Sequence, residues 1–586
     1  MTDGVYRKTA SDLTPDTDPK KQLETEPSRL TAVIQGGTIQ VGYTPVAATL
    51  AAAIDESPKS VEQDDTARTD DETTPGFSLA PPVVEPIDDA TREAPGPVEA
   101  VRAADTVSGV GVDTTQDSSP SSSPANDYPR TGSHPAIPIG FMVLVALLGQ
   151  ALFWGEPMIA NMRLVQLPLP LVIHAVLMIP CALWVGRAHD RWGPTPWLLA
   201  GAILVTTLVT PLINAWLGGP GLGDVFLYQE YGEKLLNTGL IPINPAPEYP
   251  PLAVWTFGLI AVLINKVGLF PSLATATVMA IPAFVMWLLL GRSRYGWLVA
   301  YIGLLPWSAM WLVIRFDALP TTLLVVALLL VRPDKEEATW KVVLSALIFG
   351  LAAAAKWYPG IGAIVLFFGY IAVKKWGYAL TMCFGSIVGF AAPHFPWILD
   401  PLGRQALLDA YLFHAGRGVT GESLLWQFLY PLGLAGLPSH AWSDSPNLNA
   451  GPWPMLLVAV AITLPVLIAA WKPHMAWTSA TVAPALWLMA NRIFSVQFVL
   501  TITVLWVVLL LLVPQIASVW RFALLGSLAV MNVANWMIWP VMDRAWPSFS
   551  AAVFILLLPI TIGLWVISAR QERALAKAGS HGLVAA

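Results

Sequence analysis

The feature that constrains this chain most is a long series of apolar segments, most of them close to the length that a helix needs to cross a bilayer. Crossing takes about 20 mostly apolar residues. The segments lie at 138–154, 168–186, 194–217, 251–268, 273–290, 297–313, 317–331, 340–355, 359–373, 377–395, 453–471, 476–490, 497–513, 522–540 and 549–568. Two polar stretches, 218–250 and 396–451, interrupt the series. The pattern predicts an all-α polytopic membrane protein and excludes a water-soluble enzyme.

The basic residues between these segments predict the orientation, because Lys and Arg are concentrated in cytoplasmic loops. Basic loops lie at 186–193, 291–296, 332–341 and 374–375 and in the C-terminal tail. With these loops inside, the two polar stretches fall outside. Only one crossing then fits between residues 250 and 291, so we predict that segment 251–268 lies along the outer face or re-enters without crossing. The expected plasma-membrane protein has about 12–14 transmembrane helices and both termini in the cytoplasm.

Residues 1–135 differ from the rest of the chain in charge and composition. They hold 23 acidic and 10 basic side chains, a net charge of −13, and the first of the 26 Trp residues is Trp154. A segment this charged and this poor in large apolar side chains buries too little surface to offset its ordering entropy. We therefore predict a disordered acidic cytoplasmic tail at 1–135, a transmembrane domain at 136–570 and a short basic cytoplasmic tail at 571–586.

Polar and charged side chains gather in five clusters on the predicted outer face. They are Asp224 and Tyr228 with Glu248 and Tyr249, Arg315 with Asp317, Lys356 with Tyr358, His414 with Arg417 and Glu422, and Asn491 and Arg492 with Ser495 and Gln497. Carboxylates can serve as acid, base or hydroxyl-binding groups, and cations at helix ends suit a phosphate-bearing ligand. The alternative for each cluster alone is a solvated loop or an interface anchor of snorkelling cations and aromatic rings.

The sequence contains neither of two common nucleotide-binding motifs. It contains no GxxxxGK[ST] phosphate-binding loop and no GxGxxG motif between a strand and a helix. The two cysteines, Cys181 and Cys383, lie in apolar runs without metal-ligand spacing, so we expect neither a disulfide nor a metal site, and the composition excludes a nucleic-acid partner. An enzyme working outside without a nucleotide site needs an activated donor that is already in the lipid.

The ordered polar motifs over residues 220–500 resemble the GT-C superfamily of membrane glycosyltransferases. The closest resemblance is to glycosyltransferase family 87, the polyprenyl-phosphate-mannose-dependent α-mannosyltransferases. The motifs are Asp224 and Tyr228 four apart, Glu-Tyr-Pro-Pro-Leu at 248–252, Arg-x-Asp-x-x-Pro at 315–320, Lys-x-Tyr-Pro at 356–359, Arg-Gly-x-x-x-Glu-Ser at 417–423 and Ser-x-Gln at 495–497. The resemblance implies a GT-C-type helical bundle whose first outer loop contains juxtamembrane helices.

The resemblance also implies roles for individual residues. Asp224 is the catalytic base of an inverting transfer, and Arg315, Lys356 and Arg417 bind the donor phosphate. The residues expected to bind sugar or acceptor, or to hold these cations, are Tyr228, Glu248, Tyr249, Asp317, Tyr358, His414, Glu422 and Gln497. Many relatives carry a paired acidic motif where this chain has Asp224 alone between Gly223 and Val225, so we expect no metal and no other cofactor.

The resemblance predicts an enzyme that transfers a sugar, mannose by the closest resemblance, from a polyprenyl-phosphate donor to an envelope glycolipid or lipoglycan. An arabinofuranosyl donor is the first alternative. A transporter or flippase for lipid-linked sugars is the second, although we find no internal repeat and the polar clusters lie on one face. A scaffold that docks partners through its tail is the third. No protein partner can be inferred from the sequence.

Overall fold

The computed structural model describes residues 28–35, 38–45, 136–154, 168–188, 196–216, 224–239, 248–305, 308, 315–332, 335, 337–434, 436, 453–538 and 546–582. The chain divides into two compact units, residues 1–119 and residues 120–586. The second unit contains the apolar segments and every polar cluster identified in the sequence.

The first unit contains an antiparallel hairpin of β1 (Ser28–Gln35) and β2 (Thr38–Pro45). Its register pairs Ser28 with Pro45 and Gln35 with Thr38. These strands fall in the uncharged, mildly apolar part of the predicted disordered tail, where β-branched residues favour extended structure. The remainder of the predicted tail lies outside the described residues.

The described part of the second unit is helical, and its α-helices are numbered in chain order. They are α1 (Ala136–Trp154), α2 (Pro168–Ala188), α3 (Pro196–Trp216), α4 (Val225–Thr238), α5 (Pro251–Val262), α6 (Pro271–Gly291), α7 (Gly296–Gly303), α8 (Ala318–Leu330), α9 (Thr339–Ala355), α10 (Gly360–Ala372), α11 (Trp376–Leu399), α12 (Pro401–Gly416), α13 (Leu424–Leu429), α14 (Trp453–Trp471), α15 (Ala476–Ala490), α16 (Phe498–Leu510), α17 (Ser518–Ile538) and α18 (Trp546–Gly582). A π-helical turn (Leu263–Val267) follows α5, and a 3-10 turn (Pro473–Met475) precedes α15.

Five of the described helices are long and apolar enough to cross a membrane. They are Pro196–Trp216, Pro271–Gly291, Trp376–Leu399, Trp453–Trp471 and the part of α18 from Ser548 to Ala578. Several shorter helices are also apolar, among them α8, α9, α10 and α16. The prediction of a helical chain is confirmed for the described part of the second unit, and five of its helices have the length and composition of membrane spans. The count of 12–14 crossings and the orientation of the termini stay predictions.

Helix α5 lies in segment 251–268, which the distribution of basic loops predicts not to cross the membrane. Its 12 residues and the π-helical turn after them form one apolar helix, Pro251–Val267. The helix begins at Pro251, where a missing backbone N–H costs nothing. Helices α8, α10 and α16 are shorter than this, so the non-crossing course of segment 251–268 stays a prediction.

The loops predicted to be cytoplasmic contact one another at one end of the helices. Arg294 donates a hydrogen bond to the carbonyl of Pro514 at 2.9 Å, and Lys375 forms an ion pair with Glu337 at 2.7 Å. Helix α9 has 17 residues and separates Glu337 from Lys356 by about 25 Å. Lys356 therefore lies at the opposite end, where the predicted outer loops meet.

Helix α16 runs through the interior, and all of its residues from Phe498 to Leu510 are buried. A helix that is apolar on every side belongs inside a bundle of other helices. Gln497 lies immediately before this helix, so the polar cluster at 491–497 is attached to the most buried element of the unit.

Two helix pairs approach so closely that only glycine fits at the crossing. A Cβ atom on Gly350 of α9 would lie 2.1 Å from the backbone oxygen of Ser386 in α11. A Cβ atom on Gly232 of α4 would lie 2.1 Å from the backbone oxygen of Phe257 in α5. Glycine at these positions lets the backbones touch, as small residues do where membrane helices cross. The second crossing fixes α4 against α5, and the two helices carry part of the site described below.

The terminal helix α18 supplies a cap to a helix far away in sequence. The carboxylate of Glu572 accepts hydrogen bonds from the backbone N–H groups of Trp477 and Thr478, each at 3.0 Å. These N–H groups belong to the first turn of α15 and have no partner within that helix. A buried carboxylate at a helix N-terminus also interacts favourably with the helix dipole, so Glu572 joins α18 to α15.

Candidate functional site

A cavity of about 980 Å³ lies at the helix ends that carry the predicted outer clusters. Ten of the predicted site residues line it, namely Asp224, Glu248, Tyr249, Arg315, Lys356, Tyr358, His414, Arg417, Glu422 and Gln497. Each of the six sequence motifs contributes at least one of them. A concave site with a few convergent polar groups is the usual form of a ligand pocket. The fold therefore brings the scattered motifs together in one place.

Asp224 lies directly before α4, but its side chain does not cap that helix. Its Oδ2 atom instead forms an ion pair with Arg315 and accepts a hydrogen bond from the Tyr249 hydroxyl at 2.9 Å. The side chains of Asp224 and Arg315 are 24% and 18% exposed, so both reach the cavity. Both contacts are made to the same oxygen. Asp224 is thus held in one orientation by residues from two other motifs.

Lys356 lies in the break between α9 and α10 and has a buried counter-ion. Its Nζ atom lies 2.6 Å from Oδ1 of Asp317, and the ammonium group also packs against the rings of Phe316 and Phe498 at 5.1 and 4.8 Å. Aromatic faces attract a cation in this way. Asp317 is 5% exposed and does not line the cavity. Its contact is with Lys356, and a contact of Asp317 with sugar or acceptor stays a prediction.

Tyr228 also lies behind the site rather than in it. Its side chain is fully buried, stacks on Phe257 at 4.3 Å and meets the ring of Tyr249 edge-on at 5.8 Å. Tyr228 therefore supports Tyr249, and a contact of Tyr228 with substrate stays a prediction. The burial has a simple cause, since the position four residues after Asp224 faces α5 across the crossing at Gly232.

His414 and Arg492 connect three of the motifs through backbone carbonyls. The His414 Nε2 atom is hydrogen-bonded to the backbone oxygen of Glu248, and Arg492 donates to the backbone oxygen of His414 at 2.7 Å. The backbone N–H of Thr420 in turn donates to the backbone oxygen of Arg492 at 2.9 Å. These bonds fix the end of α12 against the start of α5 and the loop before α16.

The two Glu residues of the site are held in a weakly hydrated environment. Burial raises the pKa of Glu422 to about 8, and the nearby Arg315, a hydrogen bond with Ser495 and the nearby Arg417 only partly oppose this effect. Burial also raises the pKa of Glu248, against the influence of Arg417. Desolvation disfavours the charged form of a carboxyl group. Glu422 is therefore largely protonated at neutral pH and can donate a hydrogen bond.

An aliphatic wall closes one side of the cavity. It is formed by Pro454, Met455, Val458, Ala459 and Ile462 of α14. This helix is one of the five long enough to cross a membrane, and Met455 is 77% exposed on its surface. The polar groups of the site thus lie next to an apolar helix face that reaches the surface of the unit.

The lining residues that were not predicted site residues include Arg492, Trp357 and Tyr411. Arg492 belongs to a polar cluster that the sequence identified, and Trp357 lies inside the Lys-x-Tyr-Pro motif at 356–359. Tyr411 had a usable signal, because it lies three residues before His414 and so on the same face of α12. Trp357 and Tyr411 stack on each other at 5.3 Å.

Within the described residues, no group of three or more His, Cys, Asp or Glu side chains is arranged to hold a metal ion. The carboxyl groups of the site lie close to cations, with Asp224 paired with Arg315, and Arg417 near both Glu248 and Glu422. The polar groups that line the cavity include carboxyl groups, cations, hydroxyl groups and the ring of His414.

Comparison with known proteins gives no match to any family model, to any curated protein or to any solved structure. The resemblance to the GT-C superfamily therefore rests on the motifs in the sequence.

Proposed function

We propose that the protein is a membrane glycosyltransferase of GT-C type that transfers a sugar, mannose by the closest resemblance, from a polyprenyl-phosphate donor to an envelope glycolipid or lipoglycan. The observation that carries this proposal is the composition of the lining of this cavity. A fixed carboxylate, three or more cations and an aliphatic wall line the same space. These groups suit a base, a phosphate and a lipid chain respectively.

The reaction balances without a cofactor. The acceptor hydroxyl oxygen attacks C1 of the donor sugar, and the bond between C1 and the phosphate oxygen breaks with its electron pair going to the phosphate. The hydroxyl proton passes to Asp224, and polyprenyl phosphate leaves with the added negative charge. One displacement inverts the configuration at C1.

Asp224 is suited to the role of base by the contacts that hold it. The ion pair with Arg315 favours the ionised carboxylate, and the bonds from Arg315 and Tyr249 both use Oδ2. The proposal assigns the proton transfer to the other carboxylate oxygen, Oδ1. A base of this kind contributes about 10²–10⁴-fold to rate.

The cations suit the leaving group. Arg315, Lys356 and Arg417 line the cavity together with Arg492. Charge that develops on a departing phosphate is stabilised by donors that are already in place. Lys356 meets this requirement well, because Asp317 and two aromatic rings fix its ammonium group before any substrate binds.

The aliphatic wall supports a lipid donor rather than a soluble one. A polyprenyl chain can leave the cavity along α14 and enter the surrounding hydrocarbon while its phosphate stays among the cations. The proposed topology has 12–14 crossings with both termini in the cytoplasm, and it rests on the distribution of basic residues among the loops.

The first test measures transfer of labelled sugar from polyprenyl-phosphate mannose to membrane acceptors by wild type and Asp224→Asn. We expect the variant to lose at least about 100-fold in rate, because the amide cannot take the proton. Asp409→Asn on the exposed surface of α12 is the matched control, and it should transfer at the wild-type rate. Normal transfer by Asp224→Asn at equal expression would remove Asp224 as the base.

The same assay separates the alternatives. Polyprenyl-phosphate arabinose in a parallel reaction identifies an arabinofuranosyltransferase if it is the donor consumed. A flippase would move the labelled lipid between leaflets without releasing polyprenyl phosphate. Release of polyprenyl phosphate in proportion to sugar transferred is the result expected for the proposed enzyme.

A further inference from the structure

His414 lies near the C-terminal end of α12 and lines the cavity. Its Nε2 atom is hydrogen-bonded to the backbone oxygen of Glu248. A carbonyl oxygen only accepts hydrogen bonds, so Nε2 must carry the proton. The contact with Glu248 thereby decides which tautomer the neutral ring adopts.

The other ring nitrogen is then an acceptor. In neutral imidazole one nitrogen donates and the other presents a lone pair, and here the lone pair is on Nδ1. Nδ1 has no hydrogen-bond partner among the described residues. The cavity therefore contains a neutral acceptor on a ring that is held in place, and the cations Lys356, Arg417 and Arg492 line the same cavity.

The surrounding charges keep His414 in this state. Arg492 donates to its backbone oxygen at 2.7 Å, and the ring of Trp357, next to Lys356 in sequence, lies 4.9 Å from its ring. Burial lowers the pKa of His414, the hydrogen bond to the Glu248 carbonyl opposes this effect, and the positive charges of Arg417, Lys356 and Arg492 lower the pKa further. Burial and the three cations together favour the neutral ring over the charged one.

An aromatic column holds the ring in place. The Trp357 ring packs against His414 and stacks on Tyr411, and the Tyr411 hydroxyl is bonded to Nε2 of His394 at 2.8 Å. The column leaves His414 little freedom to turn. A fixed acceptor can discriminate between ligands, because a ligand without the matching donor leaves the acceptor unpaired.

The chemistry of the neighbours selects the ligand group. A lone pair repels an ionised phosphate oxygen, whereas it binds a hydroxyl. In a sugar that is linked to phosphate through C1, the 2-hydroxyl is the sugar hydroxyl nearest to the phosphate. An acceptor placed among phosphate-binding cations is therefore placed beside that hydroxyl.

We propose that Nδ1 of His414 accepts a hydrogen bond from the 2-hydroxyl of the donor sugar and so selects donors that carry this hydroxyl. The proposal rests on the proposed function, because it takes the cations as the phosphate site. It assigns a specificity-determining contact to one atom of the cavity.

The test compares kcat/KM for polyprenyl-phosphate mannose and for its 2-deoxy analogue in two variants. In His414→Gln the amide reaches the position of Nε2 and can keep the bond to Glu248, but nothing replaces Nδ1. In His414→Asn the amide lies near the position of Nδ1 and can still accept a hydrogen bond. We expect the preference for the normal donor to fall about tenfold in His414→Gln and to be largely kept in His414→Asn.

A measurement on the wild type alone tests the proposal even if a variant fails to fold. Removal of the 2-hydroxyl should reduce kcat/KM more than removal of the 6-hydroxyl does. Equal use of the 2-deoxy and 6-deoxy donors, or an unchanged preference in His414→Gln, would overturn the assignment. Wild type that transfers from none of these donors would instead contradict the proposed function, so the two failures are distinguishable.

Discussion

Glu422 shows how a single buried residue sets the chemistry of the cavity. Its side chain is 4% exposed, and burial raises its pKa from an ordinary value of 4.5 to about 8. At neutral pH the carboxyl group is therefore a hydrogen-bond donor rather than a charge. It adds a neutral donor to a site that is also lined by Asp224, Arg315, Lys356 and Arg417.

This raised pKa has a predictable effect on stability. A group that binds its proton more tightly in the folded state contributes stability below its unfolded pKa, and that contribution is lost as pH rises through the folded pKa. We expect wild type to lose stability between about pH 4.5 and 8 relative to Glu422→Gln, by at most about 1.4 kcal/mol per pH unit. Thermal unfolding in detergent across this range measures it. Parallel curves for the two proteins would contradict the buried, protonated carboxyl group.

The pair of Lys356 and Asp317 gives a second residue-scale prediction. Removing one partner of a largely buried pair leaves an uncompensated charge and costs about 3–5 kcal/mol. We expect Asp317→Ala to lower the free energy of unfolding by roughly this amount and to weaken donor binding, because Lys356 loses its anchor. Unfolding in detergent and the KM for the donor are the measurements.

The pair of Lys375 and Glu337 supplies the control. Lys375 is 51% exposed, and exposed ion pairs contribute about 0–1 kcal/mol. Lys375→Gln should therefore be nearly neutral in stability and donor binding. Equal losses in Asp317→Ala and Lys375→Gln would show that burial of the first pair does not matter.

At the residue scale, the sequence predicted which residues take part in the site better than it predicted how deeply each side chain is buried. The order and spacing of the motifs predicted that Asp224, Arg315 and Lys356 share one site, because each lies at a helix end on the same predicted face. They could not show that Tyr228 and Asp317 lie one layer behind the cavity. The burial of a side chain depends on the rotation of its helix about the helix axis. An almost wholly apolar helix has no polar face from which that rotation could be predicted.

At the scale of elements, the crossing of α4 and α5 controls the position of Asp224. Asp224 precedes α4, and its partner Tyr249 precedes α5. A methyl group on Gly232 would collide with the backbone oxygen of Phe257, with only 2.1 Å between them. Backbone cannot move aside as a flexible side chain can, so the helices must separate.

We therefore expect Gly232→Ala to destabilise the protein by about 1–3 kcal/mol and to reduce transfer by moving Asp224 away from Tyr249. Gly201→Ala in α3 is the control, since a Cβ atom there meets nothing within 4 Å. That substitution should be neutral or stabilise by up to about 1 kcal/mol. Thermal unfolding and the transfer assay measure both. Unchanged unfolding of Gly232→Ala would mean that the crossing is looser than the structure indicates.

Helices in the long polar stretch were the main omission of the sequence reading. The region 396–451 was read as a polar loop, yet it contains α12 and α13. Local signals were present, because Asp400 caps α12 through the backbone N–H groups of Leu402 and Gly403 and Pro401 occupies the first turn. A prediction based on the length of continuous apolar segments does not detect helices of this kind, which contain polar residues.

At the scale of the whole molecule, the proposed orientation is open to a direct test. In a variant without Cys181 and Cys383, we expect Leu236→Cys to react with a membrane-impermeant maleimide in intact cells. Leu236 is 49% exposed on α4, in the predicted outer loop. Lys335→Cys in a predicted inner loop should react only after permeabilisation. The reverse pattern would invert the topology and move the cavity to the cytoplasmic face.

The hydrogen bonds from α15 to Glu572 have a consequence for how the chain is made. Glu572 follows Trp477 by 95 residues, and chains grow at about 5–20 residues per second. Glu572 is therefore synthesised roughly 5–20 s after the first turn of α15, and its carboxylate cannot cap that turn any earlier. During that interval the leading N–H groups of α15 depend on water or on other partners. The last helix to be synthesised is thus the one that completes the first turn of α15, so a chain released before Glu572 would leave the bundle unfinished at that end.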